Sequence, residues 1–259
     1  MQTRKVIDYI VGWLRDYAAG AGVNGFVVGI SGGIDSAVTS TLCAETGLSV
    51  MVVNMPIRQA EEQKSLAAKH VDWLEKHYEN VSGQTTDLTV VLKAFENCLP
   101  PDIQDHLTMA NTRARIRMTA LYAFATHNRM LVAGTGNKVE DFGVGFFTKY
   151  GDGGVDISPI ADLYKSEVYR LARQLGVIEE IMAAPPTDGL WPDSRSDEDQ
   201  IGATYDELEW AMEFDARGGR RQDLTERQKQ VLSLYRALNR KNHHKIEAIP
   251  VAVIPEEFR

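Results

Sequence analysis

Cysteine is scarce in this chain: two among 259 residues, Cys43 and Cys98, far apart and in no C-x-x-C pair. That excludes a disulfide framework and a zinc ribbon, suits a reducing cytoplasm, and leaves both thiols reading as small buried hydrophobes. Long apolar runs are missing too. None approaches the roughly 20 residues needed to span a bilayer. The amino-terminal stretch MQTRKVIDYIVGWL carries two basic residues, but Asp8 interrupts it and no small-residue cleavage site follows, which argues against a signal peptide. A basic balance is also absent. A net charge of −8 disfavours a general nucleic-acid binder, which needs a strong positive field. It leaves room for an anionic small molecule in a pocket where a few local cations dominate. There is no repeat period, low-complexity tract or Ser/Gly linker.

What is present is ordinary for one large globular domain: 44% hydrophobic and 25% charged residues. Val6, Ile7, Ile10, Val11 and Leu14 recur at helical spacing, predicting an amphipathic first helix. Strand-like runs then alternate with helix-like ones. Strands are expected at 26–30, 49–53 and 130–133, and helices at 37–45, about 59–78, 108–126 and from Asp162 to about Leu175, where Gly176 is a natural C-cap. This alternation implies an α/β domain with a parallel sheet covered on both faces. In such sheets ligands bind beyond the carboxyl ends of the strands, so chemistry is to be sought there. From about Pro185 onward periodicity weakens, and the acidic run 193–199 reads as a mobile surface loop or as disorder.

The first expected strand runs into Gly29-Ile30-Ser31-Gly32-Gly33-Ile34-Asp35-Ser36. Adjacent glycines let the backbone turn sharply and approach a ligand. Two serine hydroxyls and the start of the next helix add donors and a positive dipole end, which together make an anion cradle. Asp35 would repel phosphates unless a cation intervenes, and Mg²⁺, hard and oxygen-seeking, resolves the conflict. A P-loop is excluded because its G-K-[ST] lysine is absent, and G-x-G-x-x-G fails here as well. At the end of the 130–133 strand, Gly134-Thr135-Gly136-Asn137-Lys138-Val139-Glu140 starts like a dinucleotide loop, but Val139 occupies the third glycine position. Beyond it, Phe146-Phe147-Thr148-Lys149-Tyr150-Gly151-Asp152-Gly153-Gly154-Val155-Asp156 is glycine-dense and flanked by aromatics. A plain buried tight loop would explain its glycines but not Lys149 and Asp156, a cation and an acceptor set around one ligand.

S-G-G-x-D-S after a strand resembles the pyrophosphate loop of the ATP pyrophosphatases, which split ATP into AMP and pyrophosphate and adenylate a substrate oxygen. G-T-G-N-K-x-E, then F-T-K-Y-G-D-G-G-x-D-I-x-P-I, then D-L-Y-K-S-x-V-Y, looks like the NAD synthetase family, as does the Asn111–Met118 stretch N-x-x-A-R-x-R-M. The likeness includes Pro186-Thr187 and Leu190-Trp191-Pro192, runs to about Asp206 and resumes at His244-Lys245. It implies a three-layer, doubly wound, adenine nucleotide alpha hydrolase-like domain covering 1–259. It also implies a ligase that joins ammonia to deamido-NAD at the expense of ATP, through an adenylated carboxylate. Residue by residue, Gly29, Ile30, Ser31, Gly32, Gly33, Ile34, Asp35 and Ser36 would hold ATP, with Thr135, Lys165 and Thr187. Asp35 and Glu140 would bind Mg²⁺, and Asp35, Glu140 and Lys165 would form the catalytic set. Arg115, Lys149, Asp156, His244 and Lys245 would contact deamido-NAD. The resemblance further implies a cytoplasmic homodimer with no nucleic-acid or membrane partner. About two dozen residues precede the first strand, where glutamine-using members carry an amidase domain, so ammonia is the expected nitrogen source. Two alternatives make weaker use of the motifs: another ATP pyrophosphatase, tRNA-modifying or GMP-synthetase-like, and a nucleotide-binding module without catalysis.

Overall fold

The computed structural model describes residues 1–58, 61–186, 196–219 and 224–259, with the backbone alone for 61–64. Thr187 and the stretch Leu190-Trp191-Pro192 lie outside the described residues. The chain opens with α1 (Thr3–Ala21), whose Ile7, Ile10, Val11 and Leu14 are buried as their spacing predicts. Then come β1 (Gly25–Ile30), α2 (Ile34–Glu45), β2 (Ser49–Asn54), α3 (Glu61–His77), β3 (Val81–Thr85), α4 (Thr89–Cys98), α5 (His106–Asn128) and the short β4 (Leu131–Val132). A seven-residue π-helix (Lys138–Val144) follows, then α6 (Lys165–Leu175), α7 (Glu179–Ala183), α8 (Asp197–Ile201), α9 (Tyr205–Ala216) and α10 (Glu226–Ile246).

The four strands run parallel in the order β3-β2-β1-β4. A parallel sheet with helices on both faces buries both sides of every strand, so β1 is apolar throughout rather than alternating. The period-2 pleat sends its side chains to two cores. Phe26, Val28 and Ile30 pack with α1, α2 and α6, whereas Val27 packs with Ile116 and Ala125 of α5 and Leu92 of α4. A third apolar cluster joins the π-helix (Val139, Val144) to Leu208 and Met212 of α9 and Val231 and Leu232 of α10. This is the single α/β domain, sheet covered on both sides, that the alternation implies.

Three sequence expectations need correction. Helix α6 begins at Lys165, not Asp162: residues 161–163 form turns, and Glu167 accepts a bond from the Tyr164 backbone N–H (3.1 Å) that fixes the start at Lys165. The acidic run is partly helical, with Asp197–Ile201 capped by Ser196 and Asp197 itself buried. Cys43 is fully buried, but Cys98 is exposed at the end of α4, where its helix turns that side to solvent. Gly176 caps α6 in the left-handed conformation (φ 74°), as expected. No described helix is long and apolar enough to cross a membrane.

One buried polar link ties α3 to the start of α2. His70 is completely buried, with Nε2 3.0 Å from Ser40 Oγ, and Ser40 gives its own hydrogen to the Ser36 carbonyl (2.7 Å). His70 therefore donates through Nε2. Burial pulls the imidazole from its ordinary 6.5 down to about 4, against an opposing bond to the Ala37 backbone. Because the folded value lies below the unfolded one, the neutral ring stabilises the fold above pH 6.5, and that contribution is lost as pH falls toward 4. The loss should be about 3 kcal/mol. Urea unfolding at pH 7 and pH 4.5, where most of the loss has occurred, should show a decline in wild type that is smaller by about 2 kcal/mol in His70→Leu. Equal declines in both proteins would remove His70 from the account.

Candidate active site

The carboxyl ends of β1 and β4 are adjacent, and both lead into helix starts. After β1, Gly32 takes φ +87°, a left-handed turn open to glycine at little cost. The serines hold this turn in shape. Ser31 Oγ accepts from the Gly33 N–H (3.1 Å) and lies 3.1 Å from Ser36 Oγ, while Ser36 Oγ donates to the Gly33 carbonyl (2.9 Å). No side chain caps the amino end of α2. Its first-turn N–H groups and positive dipole end therefore remain directed at the space beyond the strand. Residues Gly29 to Ser36 thus have the tight turn, paired serine hydroxyls and uncapped helix start on which the expectation of an anion cradle rests.

Asp35, in the first turn of α2, faces two groups brought from far along the chain. Lys165 Nζ lies 2.5 Å from Asp35 Oδ2 and 3.0 Å from Glu140 Oε1, so one ammonium sits between the two carboxylates. Asn137 caps the π-helix with its Oδ1 and donates its Nδ2 to Asp35 Oδ1 (3.2 Å). Tyr205, first residue of α9, donates its hydroxyl to Glu140 Oε1 at 2.5 Å and lies 3.4 Å from Asp197 Oδ2. Lys165 is held by its neighbourhood as well as by charge. The next residue, Ser166, binds both oxygens of Glu209 on α9, through N (2.9 Å) and Oγ (2.7 Å). The amino ends of α2, the π-helix, α6 and α9 thus converge on one point.

The lysine is only 3% exposed. Burial alone would lower its pKa, but Asp35 and Glu140 outweigh burial and hold it well above its ordinary value, so it stays charged. Burial pushes the Asp35 carboxyl up, with Lys165 pulling it back and Glu140 adding to the rise. Glu140 is also pushed up by burial, but Lys165 and the Tyr205 hydroxyl hold it below the usual value. Burial and the flanking Glu140 and Asp197 charges raise the Tyr205 phenol, which therefore remains a neutral donor. The two carboxylates differ in their partners: of the pair, Glu140 alone receives the Tyr205 hydroxyl. A hydrogen bond to a charged group typically contributes about 2 kcal/mol. Tyr205→Phe should lower unfolding stability by about that amount in urea titration, and no measurable loss would contradict the bond.

Two carboxylates fit a hard cation such as Mg²⁺, which is bound through one or two carboxylates and completed by phosphate oxygens and water. Lys165 approaches each carboxylate on a single oxygen, and Asp35 Oδ1, which accepts one bond from Asn137, keeps a second lone pair to share. Among the described residues no group of three or more His, Cys, Asp or Glu side chains forms a self-sufficient cage. That donor set matches a cation completed by a phosphorylated substrate.

The residues expected around the second substrate split into two groups. Arg115, Lys149, His244 and Lys245 come together. Arg115 on α5 donates from Nε to the Lys149 carbonyl (3.3 Å), Lys149 Nζ donates to the His244 carbonyl, and Lys245 Nζ donates to the Phe147 carbonyl (2.7 Å). The imidazole of His244 is exposed, and its backbone makes the contact. Asp156 stands apart. Its Oδ1 accepts from the Tyr122 hydroxyl (2.9 Å) and its Oδ2 from the Val132 N–H (2.8 Å), so both oxygens are engaged in holding the end of β4 against α5. Thr135 lies half-buried in the loop after β4. Tyr205, Asn137 and Asp197 were not singled out from sequence. Asn137 is visible within G-T-G-N-K-x-E, whereas Tyr205 has no local signal beyond following the cap residue Thr204.

A family profile for NAD synthase matches residues 6–249. The NH(3)-dependent NAD(+) synthetase of Methanosarcina acetivorans is 36% identical over 264 residues, covering 97% of this chain and 98% of that protein. Among solved structures, NMN synthetase from Francisella tularensis aligns with a TM-score of 0.85 at 30% identity over 99% of both chains. The NH3-dependent NAD synthetase from Campylobacter jejuni aligns at 0.80 over 98% of this chain and 100% of that one; at 24% identity it bears on the fold.

Proposed function

The chain belongs to the NAD synthase family, and from that premise we propose that it joins ammonia to the nicotinate carboxylate of deamido-NAD through an acyl-adenylate built at the Asp35–Lys165–Glu140 cluster. It is an amide-forming ligase that makes NAD from deamido-NAD, ATP and ammonia. The observation that carries the site assignment is the buried ammonium of Lys165 held between Asp35 and Glu140, beside the uncapped start of α2.

A carboxylate is a poor acyl donor because its charge repels nucleophiles and oxide is a poor leaving group. In the first step a carboxylate oxygen bonds to the α-phosphorus of ATP as the bond to pyrophosphate breaks. In the second, the ammonia nitrogen bonds to the acyl carbon, the carbon–oxygen bond to AMP breaks, and the nitrogen loses a proton. The protein's part is positioning and charge neutralisation. Gly29 to Ser36 cradle the phosphates, Thr135 and Thr187 add ATP contacts, and Lys165 neutralises the departing pyrophosphate. Asp35 and Glu140 would hold Mg²⁺, which when bound supplies further neutralisation of phosphate charge. Arg115, Lys149, His244 and Lys245 would bind the anionic dinucleotide, with Asp156 acting through the end of β4.

The functional unit is residues 1–259 as one domain, in a homodimer in the cytoplasm. Exposed apolar side chains on and between α4 and α5 support the dimer: Val90 is 77% exposed and Leu107 62%, and Val91, Phe95 and Ile103 are exposed as well. Light scattering that finds a fully active monomer would remove the dimer.

The high similarity to an NMN synthetase favours a second reading, in which the mononucleotide counterpart is the preferred acid. Steady-state kinetics with both acids decides: kcat/KM should be at least about tenfold higher with deamido-NAD. The reverse ratio would move the assignment to the mononucleotide.

A further inference from the structure

The π-helix that carries Glu140 ends at Val144, and the chain leaves it through Gly145 (φ +65°) toward Lys149. A helix end leaves carbonyls without intrahelical partners, and a buried one needs donors from elsewhere. Here the donors come from one face of α10. Asn239 Nδ2 donates to the Gly143 carbonyl (2.7 Å), Asn242 Nδ2 to the Val144 carbonyl (2.8 Å) and Lys245 Nζ to the Phe147 carbonyl (2.7 Å). In return Lys149 Nζ donates to the His244 carbonyl. Asn239, Asn242 and Lys245 are spaced by three, so they line one side of the helix and meet the carbonyls of 143, 144 and 147 in chain order. The approach is close: a Cβ on Gly145 would lie 2.5 Å from Cβ of Asn242.

From this geometry we infer that Asn239 and Asn242 are positioning residues that hold the 143–149 segment, so that Glu140 at one end and Lys149 at the other stay in one frame. Neither amide touches Asp35, Lys165 or Glu140. Each acts by satisfying a carbonyl of the segment, and Asn242, nearer the Gly145 turn, bears mainly on Lys149. The inference rests on the reading that Lys149 binds the dinucleotide.

The test is a double-mutant cycle in the full-length protein, with KM for deamido-NAD and for ATP measured separately. Asn242→Leu removes the donor at similar size, and Lys149→Met removes the cation. Asn242→Leu should raise KM for deamido-NAD about tenfold and KM for ATP less than about twofold. In the Lys149→Met background the same change should add less than about twofold, because its effect passes through Lys149. If Lys149→Met leaves KM for deamido-NAD unchanged, the reading beneath the inference fails and the inference with it. If Lys149→Met raises that KM while Asn242→Leu does not, the reading stands and the inference is overturned. Equal rises for both substrates, or additive effects in the double variant, would also overturn it by making Asn242 a general structural residue. Should Asn242→Leu not fold, Asn242→Ala, which removes the same donor, is read by the same criteria.

Discussion

Replacing Lys165 with methionine is expected to remove turnover and to cost about 4 kcal/mol of stability at neutral pH, the range for breaking a buried ion pair from one side. The side chains of Asp35 and Glu140 are 17% and 16% exposed, so water screens them poorly once the ammonium is gone. Two adjacent carboxylates in such a place cannot both stay ionised cheaply, and Asp35, whose carboxyl burial already pushes up, would take the proton. A raised carboxyl favours the fold only while protonated. Stability of the variant should therefore be highest near the unfolded carboxyl range and fall as pH rises through the raised Asp35 value. Melting curves at pH 5 and pH 8 check this, with the variant more stable at pH 5. Added Mg²⁺ should raise its melting temperature at pH 8 more than it raises that of wild type, because a ligand bound only by the folded state stabilises it. A variant as stable as wild type at pH 8 would mean that Lys165 is not the counter-ion of the pair.

Asp35→Ala is the second large effect, and its balance differs. Removing one carboxylate leaves Lys165 paired with Glu140 at 3.0 Å, a neutral couple still supported by Tyr205. The fold should survive with a smaller loss than in Lys165→Met. Turnover should not survive: with Mg²⁺, ATP, ammonium and deamido-NAD present, NAD formation should fall by more than about 10³-fold, because a charge-stabilising group is lost where pyrophosphate charge develops. Near-normal NAD formation would sink the assignment of Asp35 as metal ligand and phosphate-side residue. The contrast between the two variants separates charge balance from catalysis.

Much of this was legible in the chain, for physical reasons. Strands β1 and β2 are short apolar runs bounded by turn residues, and α1 shows its buried stripe directly. The cradle at Gly29 to Ser36 was readable because glycine, serine and a helix start carry their chemistry locally. Strand β3, VSGQT, was not: it is an edge strand with one buried side chain, so it has neither alternation nor apolar content. The acidic stretch looked like a loop, yet its helix was signalled. Ser196 with Asp199, Thr204 with Glu207 and Thr225 with Gln228 are Ser/Thr-x-x-acid-or-amide pairs, and each caps a helix reciprocally. Lys165 was identified as a site residue, but not as the cation between Asp35 and Glu140, because that contact closes 130 residues of chain. Asp156 suggests a ligand contact from its local setting, which carries no sign that its oxygens also accept from Tyr122 and the Val132 backbone, since both partners come from other elements of the fold.

The central claim is that the carboxylate is activated by bonding to the α-phosphorus of ATP. Deamido-NAD carrying ¹⁸O at both oxygens of its nicotinate carboxylate, turned over with ATP, Mg²⁺ and ammonium, tests it by mass spectrometry of the products. Transfer through an acyl-adenylate requires one ¹⁸O in the AMP phosphate for every NAD formed, with none in pyrophosphate. Unlabelled AMP, or label in inorganic phosphate with ADP as co-product, would contradict it.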